Sequence, residues 1–171
     1  METSEVLADA FGRIRGVTHQ AVDGLTPEEL AFRPDPDANS IAWLAWHLTR
    51  IQDDHVAGVA GTDQIWTSAG WYDRFGLPFP ASAIGYGFSS EEVAAVRVSS
   101  AELLTGYYDA VHEHTIRYVR TLTPRDLDRI VDESWDPPVT LGVRLVSVIS
   151  DNLQHAGQAA YVRGIAERRP S

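Results

Sequence analysis

Apolar residues recur at three- and four-residue steps over four segments of the chain. This is the period of an α-helix that buries one face. The four segments are residues 6–22, 41–60, 100–122 and 141–167. Long helices joined by shorter connections are the elements of a helical bundle. The pattern therefore predicts an all-α fold, a four-helix bundle.

Capping residues mark where the helices and turns between these segments start. A Ser or Thr three residues before Glu forms a reciprocal capping box. Such pairs occur at Thr26 with Glu29, Ser89 with Glu92, and Ser99 with Glu102. The first pair lies in Leu25–Leu30, which Leu122–Leu127 nearly repeats. This echo predicts two helix–turn–helix units, each ending in a long second helix.

Residues 61–98, between the second and third long helices, break the helical period with glycines and prolines. A connection of this length is usually functional or packed by its own side chains. It contains seven aromatic residues: Trp66, Trp71, Tyr72, Phe75, Phe79, Tyr86 and Phe88. We therefore expect this aromatic-rich connection to be ordered and to cover one end of the bundle.

Polar residues interrupt the inner faces of the second and fourth long helices. Asn152 and His155 fall on the apolar stripe of the fourth helix, and Asp151 lies one turn before His155. A buried carboxylate and imidazole need partners, and at this spacing both can meet one cation. His47 occupies a similar inward position on the second helix. Metal sites in bundles are built from such side chains on facing helices.

Composition limits the classes of protein that fit. At 171 residues with 44% hydrophobic residues, the chain is predicted to form one domain over residues 1–171. Its formal charge of −10 disfavours nucleic acid and anionic membranes as partners. With no cysteine, it offers neither a disulfide nor a thiolate of its own. No signal peptide or long apolar segment is evident, so we expect a cytoplasmic protein.

Three motifs together resemble the DinB-like superfamily of metal-binding four-helix bundles, especially its branch of mycothiol-dependent maleylpyruvate isomerases and related thiol transferases. They are the segment around His47, the two LTPxxL turns and the segment around His155. The resemblance implies one metal ligand from the second helix and two, four residues apart, from the fourth. It assigns these positions to His47, Asp151 and His155. The family commonly has histidine where this chain has Asp151.

The resemblance implies a divalent metal, with zinc, nickel or iron the expected ions, since two imidazoles and a carboxylate suit zinc and non-haem iron. It further implies a thiol S-transferase or isomerase that uses a low-molecular-weight thiol on a small-molecule substrate. Two alternatives remain open. One is a non-catalytic metal- or ligand-binding bundle of a stress response, and the other is a structural homodimer that lacks metal.

Other polar side chains are candidates for roles around this site. Hydrogen-bond acceptors for the metal-binding histidines are Asn152, Gln158 and Asp54. Arginines that could hold an anionic substrate are Arg50, Arg144 and Arg163. Each of these residues has an equally simple structural explanation, because polar side chains on helices often pair with one another. No catalytic residue beyond the metal ligands can be assigned from the sequence.

Overall fold

The computed structural model describes residues 2–169 and confirms a mostly helical bundle of four main helices. These are α1 (Thr3–Val22), α3 (Ile41–Ala60), α7 (Ala101–Val119) and α8 (Leu141–Glu167). Helix α8 packs against α1 and α3, and α7 packs against the same two helices from the other side. The apolar core lies between these four helices.

Shorter elements join the four main helices. They are α2 (Pro27–Leu30), α4 (Ile65–Ser68), α5 (Trp71–Phe75), α6 (Ser90–Ala95) and a 3₁₀ helix at Pro124–Asp128. The predicted capping boxes form at Thr26 and Ser89. The prediction at Ser99 is wrong by one residue, because the Ser100 side chain accepts the hydrogen bond from Leu103 N–H and caps α7. Both LTPxxL segments form short helical turns, as their capping residues predict.

Helix α3 is buried around its whole circumference over its first thirteen residues, Ile41 to Asp53. The amphipathic pattern alone predicts a solvent-facing side for Arg50 and its neighbours. The structure buries Arg50 completely because the ordered connection of residues 61–98 covers that side. Its aromatic residues pack there, with Trp66 against Tyr107 of α7 and Phe79 against Trp46 of α3.

A short β-hairpin that the helical pattern does not predict precedes α8. Strand β1 (Ile130–Asp132) pairs antiparallel with β2 (Val139–Thr140). The Thr140 side chain then caps α8 by accepting a hydrogen bond from Val143 N–H. The hairpin therefore fixes where α8 begins and places its loop, residues 133–138, beside that helix.

Helices α3 and α8 run antiparallel along the face that carries the candidate site. The rings of His47 and His155 lie 4.9 Å apart between centroids. Eight residues further along α3 and eleven residues earlier on α8, Arg144 Nη1 lies 3.1 Å from His55 Nδ1. Polar residues of the two helices therefore face each other in register. Within residues 2–169, no helix has the length and apolar character needed to cross a membrane.

Candidate metal centre

His47 is held in one orientation by its surroundings on α3. Its side chain is buried and stacks on Trp43, one turn earlier, with ring centroids 4.4 Å apart. The Nδ1 atom donates a hydrogen bond to the carbonyl oxygen of Ile84, since a carbonyl can only accept. Burial and the nearby His155 lower the pKa of His47. The ring is therefore neutral, and its Nε2 lone pair is available to a cation.

His155 is oriented by a partner on its own helix. Its Nδ1–H donates a hydrogen bond to Gln158 Oε1 at 2.8 Å, and its Nε2 lies 3.5 Å from Asp151 Oδ1. Burial lowers the pKa of His155, but the hydrogen bonds to Asp151 and Gln158 outweigh burial and raise it. His155 thus has the acceptor that metal-binding histidines require.

Asp151 is the most solvent-accessible of the three candidate ligands. Burial by itself raises the pKa of Asp151, but His155 and His47 outweigh this effect, and the carboxyl group stays ionised. Its Oδ2 atom is buried and has no hydrogen-bond partner among the described residues. An ionised carboxylate oxygen without a partner is costly unless a cation neutralises it.

One ligand atom from each of His47, Asp151 and His155 lies within 4.8 Å of the others. Two neutral-capable imidazoles and a carboxylate form a donor set typical of catalytic zinc and non-haem iron sites. The unpartnered Asp151 oxygen belongs to the same cluster. The residues present therefore fit a divalent cation. An Asp151–His155 ion pair without metal would explain only two of the three side chains.

Of the three side chains predicted to accept hydrogen bonds from the site histidines, one does so. Gln158 bonds His155, as described above. Asn152 instead donates to Gln52 Oε1 at 2.7 Å, in the buried interface between α8 and α3. Asp54 accepts from Gln64 Nε2 at 2.8 Å and stabilises the connection. Asn152 and Asp54 are therefore structural residues and do not bond either histidine of the candidate site.

The acceptor for His47 comes from a backbone carbonyl, which no side-chain motif signals. Arg50 fixes that part of the connection by donating to the carbonyl oxygens of Ala83 at 3.1 Å and Ala81 at 3.4 Å. Its charge is balanced by Asp53, with the nearest atoms 3.6 Å apart and both side chains fully buried. Arg50 is therefore a structural residue that keeps the Ile84 carbonyl against His47.

Gly85 allows the connection to approach His47 closely. Its φ of +91° lies in the region that favours glycine, and an added Cβ would lie 2.8 Å from His47 Nδ1. Gly87 shares a positive φ, +72°, but has open space around it. Substitutions at the two glycines can therefore distinguish the effect of backbone strain from the effect of contact with His47.

Gly85→Ala is expected to lower metal affinity about tenfold, the loss typical of disturbing the partner of a metal-binding histidine. The new methyl group displaces the Ile84 carbonyl from His47. Gly87→Ala is the matched control, because it adds similar backbone strain, about 1–2 kcal/mol, without that contact. Isothermal titration calorimetry with zinc measures the metal affinity of both variants. Equal affinities in the two variants would show that the Ile84 carbonyl does not orient His47.

A pocket of about 440 Å³ opens beside Asp151. Arg144, about two turns before Asp151 on α8, and His55 also line it, and its aliphatic side chains come from α3, α8 and β2. His55 carries no recognisable motif, and its partner Arg144 lies 89 residues away in the chain. Sequence patterns could not have paired them, because no local spacing links two helices so far apart.

The fold and this cluster define a class of protein: helical bundles with a candidate two-histidine, one-carboxylate metal centre. Residues 10–159 match the DinB superfamily, so the chain belongs to that superfamily. It is also similar to the crystal structure of a conserved protein from Enterococcus faecalis. The two are 30% identical with a TM-score of 0.92, and the match covers 99% of each chain. No curated protein matches the sequence.

Proposed function

We propose that this protein is a divalent-metal-dependent enzyme whose metal is held by His47, Asp151 and His155. The observation that carries the proposal is the convergence of these three side chains around an unpartnered, buried carboxylate oxygen. The adjoining pocket shares Asp151 as a lining residue, which gives a small molecule access to the cluster.

The reaction class we propose is transfer or addition of a low-molecular-weight thiol to an electrophile, as in the mycothiol-dependent branch of the superfamily. A divalent cation, when bound, lowers the pKa of a coordinated thiol or water and polarises a carbonyl group. The thiol must be a cosubstrate because the chain has no cysteine. The chain contributes His47 and His155 in fixed orientations and the carboxylate of Asp151. Zinc, nickel and iron are the candidate ions.

A thiol-conjugation assay tests this proposal. The protein, loaded in turn with zinc, nickel or ferrous iron, is mixed with chlorodinitrobenzene and with mycothiol, glutathione or cysteine. We expect at least one pair of metal and thiol to react faster than the uncatalysed mixture, and His155→Ala or a chelator to remove the gain. His112→Ala, a histidine outside the cluster, is the control and should keep the full rate.

A negative result in that assay has a definite meaning. If about one metal ion binds per chain but no thiol reacts faster than in the uncatalysed mixture, the thiol-transfer proposal is overturned. The non-catalytic metal- or ligand-binding bundle then becomes the better description.

A further inference from the structure

The pocket beside Asp151 is a groove between α3 and α8, and its walls are apolar. Ile51 of α3, Val143 and Val148 of α8 and Val139 of β2 line it. Its volume of about 440 Å³ falls within the range of sites that hold small ligands. A ligand body that contacts these walls must be largely apolar.

Two large aromatic side chains lie at the rim of the groove and remain exposed. Tyr86 is 87% exposed and Trp135 is 66% exposed, although both line the groove. They come from unrelated segments, Tyr86 from the connection after α3 and Trp135 from the hairpin loop. The other aromatic residues of the connection are packed against the core or buried in it. Exposed aromatic side chains that meet at one opening are typical of a binding site.

The end of the groove away from Asp151 presents hydrogen-bond donors. Arg144 donates to Asp132 Oδ2 at 2.9 Å and to His55 Nδ1 at 3.1 Å, which leaves further guanidinium N–H groups free to donate. Because His55 Nδ1 accepts this bond, the proton of the neutral ring is on Nε2, a second donor. The Asp132 carboxylate is engaged by Arg144 and Ser134. A ligand group that only accepts hydrogen bonds complements this end.

The sequence offers three arginines that could hold an anionic substrate, and of these Arg144 lines this groove. Arg50 is fully buried in the contacts that hold the connection. Arg163 pairs with Glu167 at 2.7 Å and donates to the backbone carbonyls of Gln20 and Asp23. Of these three arginines, Arg144 is therefore the one that presents N–H groups to a ligand in this groove.

We propose that the groove binds an elongated molecule with an apolar body and a carboxylate, with the carboxylate on Arg144 and the opposite end at the metal centre. This inference rests on the proposed function for the identity of the second end. Arg144 and Asp151 are seven residues apart on α8, about 10 Å along the helix. A chain of about five methylene groups between a metal-directed thiol and the carboxylate, as in mercaptohexanoate, spans most of that length. The substrate class is thus a medium-chain or aryl carboxylic acid.

Calorimetric titration of the zinc-loaded protein with mercaptohexanoate and its uncharged analogue mercaptohexanol tests the carboxylate site. We expect the acid to bind about tenfold more tightly, the gain typical of a charge-assisted hydrogen bond. Mercaptopropanoate, which is too short to reach Arg144 from the metal, should show no such advantage over mercaptopropanol. Equal affinity of the long acid and the long alcohol would overturn the proposal.

Substitutions locate the preference. Arg144→Met should abolish the advantage of the acid, and Arg163→Met, on the same helix, should leave it unchanged. The double substitution Arg144→Met with Asp132→Asn should give the same loss, which excludes repulsion by a freed Asp132 carboxylate. Retention of the tenfold preference in both Arg144 variants would overturn the assignment to this residue.

The aromatic rim is tested separately. Trp135→Ala should weaken the long acid and the long alcohol by the same factor, since this side chain contacts the ligand body. Tyr161→Ala removes another exposed aromatic side chain, one that does not line the groove, and should change neither affinity. If Trp135→Ala and Tyr161→Ala behave alike, the ligand does not lie in this groove.

Repeating the titrations after chelation separates this inference from the proposed function. A carboxylate preference that depends on Arg144 and persists without metal supports the groove, even if metal never strengthens thiol binding. Conversely, metal-dependent thiol binding with no carboxylate preference overturns the groove while leaving the metal proposal intact. Absence of binding by every probe, with and without metal, overturns the groove.

Discussion

Asp53→Ala is expected to lower the free energy of unfolding by about 3–5 kcal/mol, the cost typical of removing one partner of a buried ion pair. The Asp53 carboxylate accepts hydrogen bonds from Ile65 N–H at 2.9 Å, Trp66 N–H at 2.7 Å and Tyr107 Oη at 2.8 Å. It also balances the charge of Arg50, which has no exposed surface. The substitution leaves that charge and two backbone donors without their partner.

Asp54→Ala is the matched control for this experiment. Asp54 is the next residue on α3, is only partly buried, and accepts one hydrogen bond, from Gln64. Its loss should cost about 1 kcal/mol. Urea unfolding followed by circular dichroism measures both variants. Similar midpoints and slopes for the two would show that the buried Arg50–Asp53 pair does not hold the connection.

His155→Ala is expected to weaken zinc binding by more than about 100-fold, because even the partners of metal-binding histidines account for 10–100-fold. His47→Ala should do the same from α3. His112→Ala is the control, since His112 lies on α7, outside the cluster. Metal content after purification and competition with a chromophoric chelator measure the loss. Unchanged metal content in both ligand variants would eliminate this centre.

Asp151 requires its own pair of variants, because the resemblance to the family implies a histidine at this position. Asp151→Ala should lose zinc binding, as His47→Ala and His155→Ala should. Asp151→His restores an imidazole at this position and should retain zinc, since nitrogen is a good zinc ligand. If Asp151→Ala binds zinc as well as the unsubstituted protein does, the carboxylate is not a ligand.

The sequence predicted α8 to its terminal residues, Leu141–Glu167, because apolar spacing and an N-terminal cap both mark that helix. It was less accurate about which residues the helix buries. Ala156 is fully buried in the apolar stripe of α8, whereas the neighbouring His155 is only partly buried and lies beside that stripe, at the candidate site. Helical periodicity fixes a direction to within about one residue position. It could therefore place His155 near Asp151 but not predict its exposure.

The parts that sequence patterns missed depend on contacts between distant segments. Asp53 and Arg50 look like surface residues of an amphipathic helix until the connection covers them. The two strands of the hairpin before α8 contain only five residues, too few to show an alternating pattern. The His47 acceptor is a backbone carbonyl, which every residue possesses. These features follow from tertiary packing, which local spacing does not encode.

The bond from His47 to Ile84 links the candidate metal centre to the connection that covers α3. If the proposed metal requires this bond, its binding stabilises the packed connection, and by thermodynamic linkage the packed connection raises metal affinity by the same factor. Under the proposed function, a substitution that weakens the packing of residues 81–85 should therefore lower metal affinity without changing His47, Asp151 or His155.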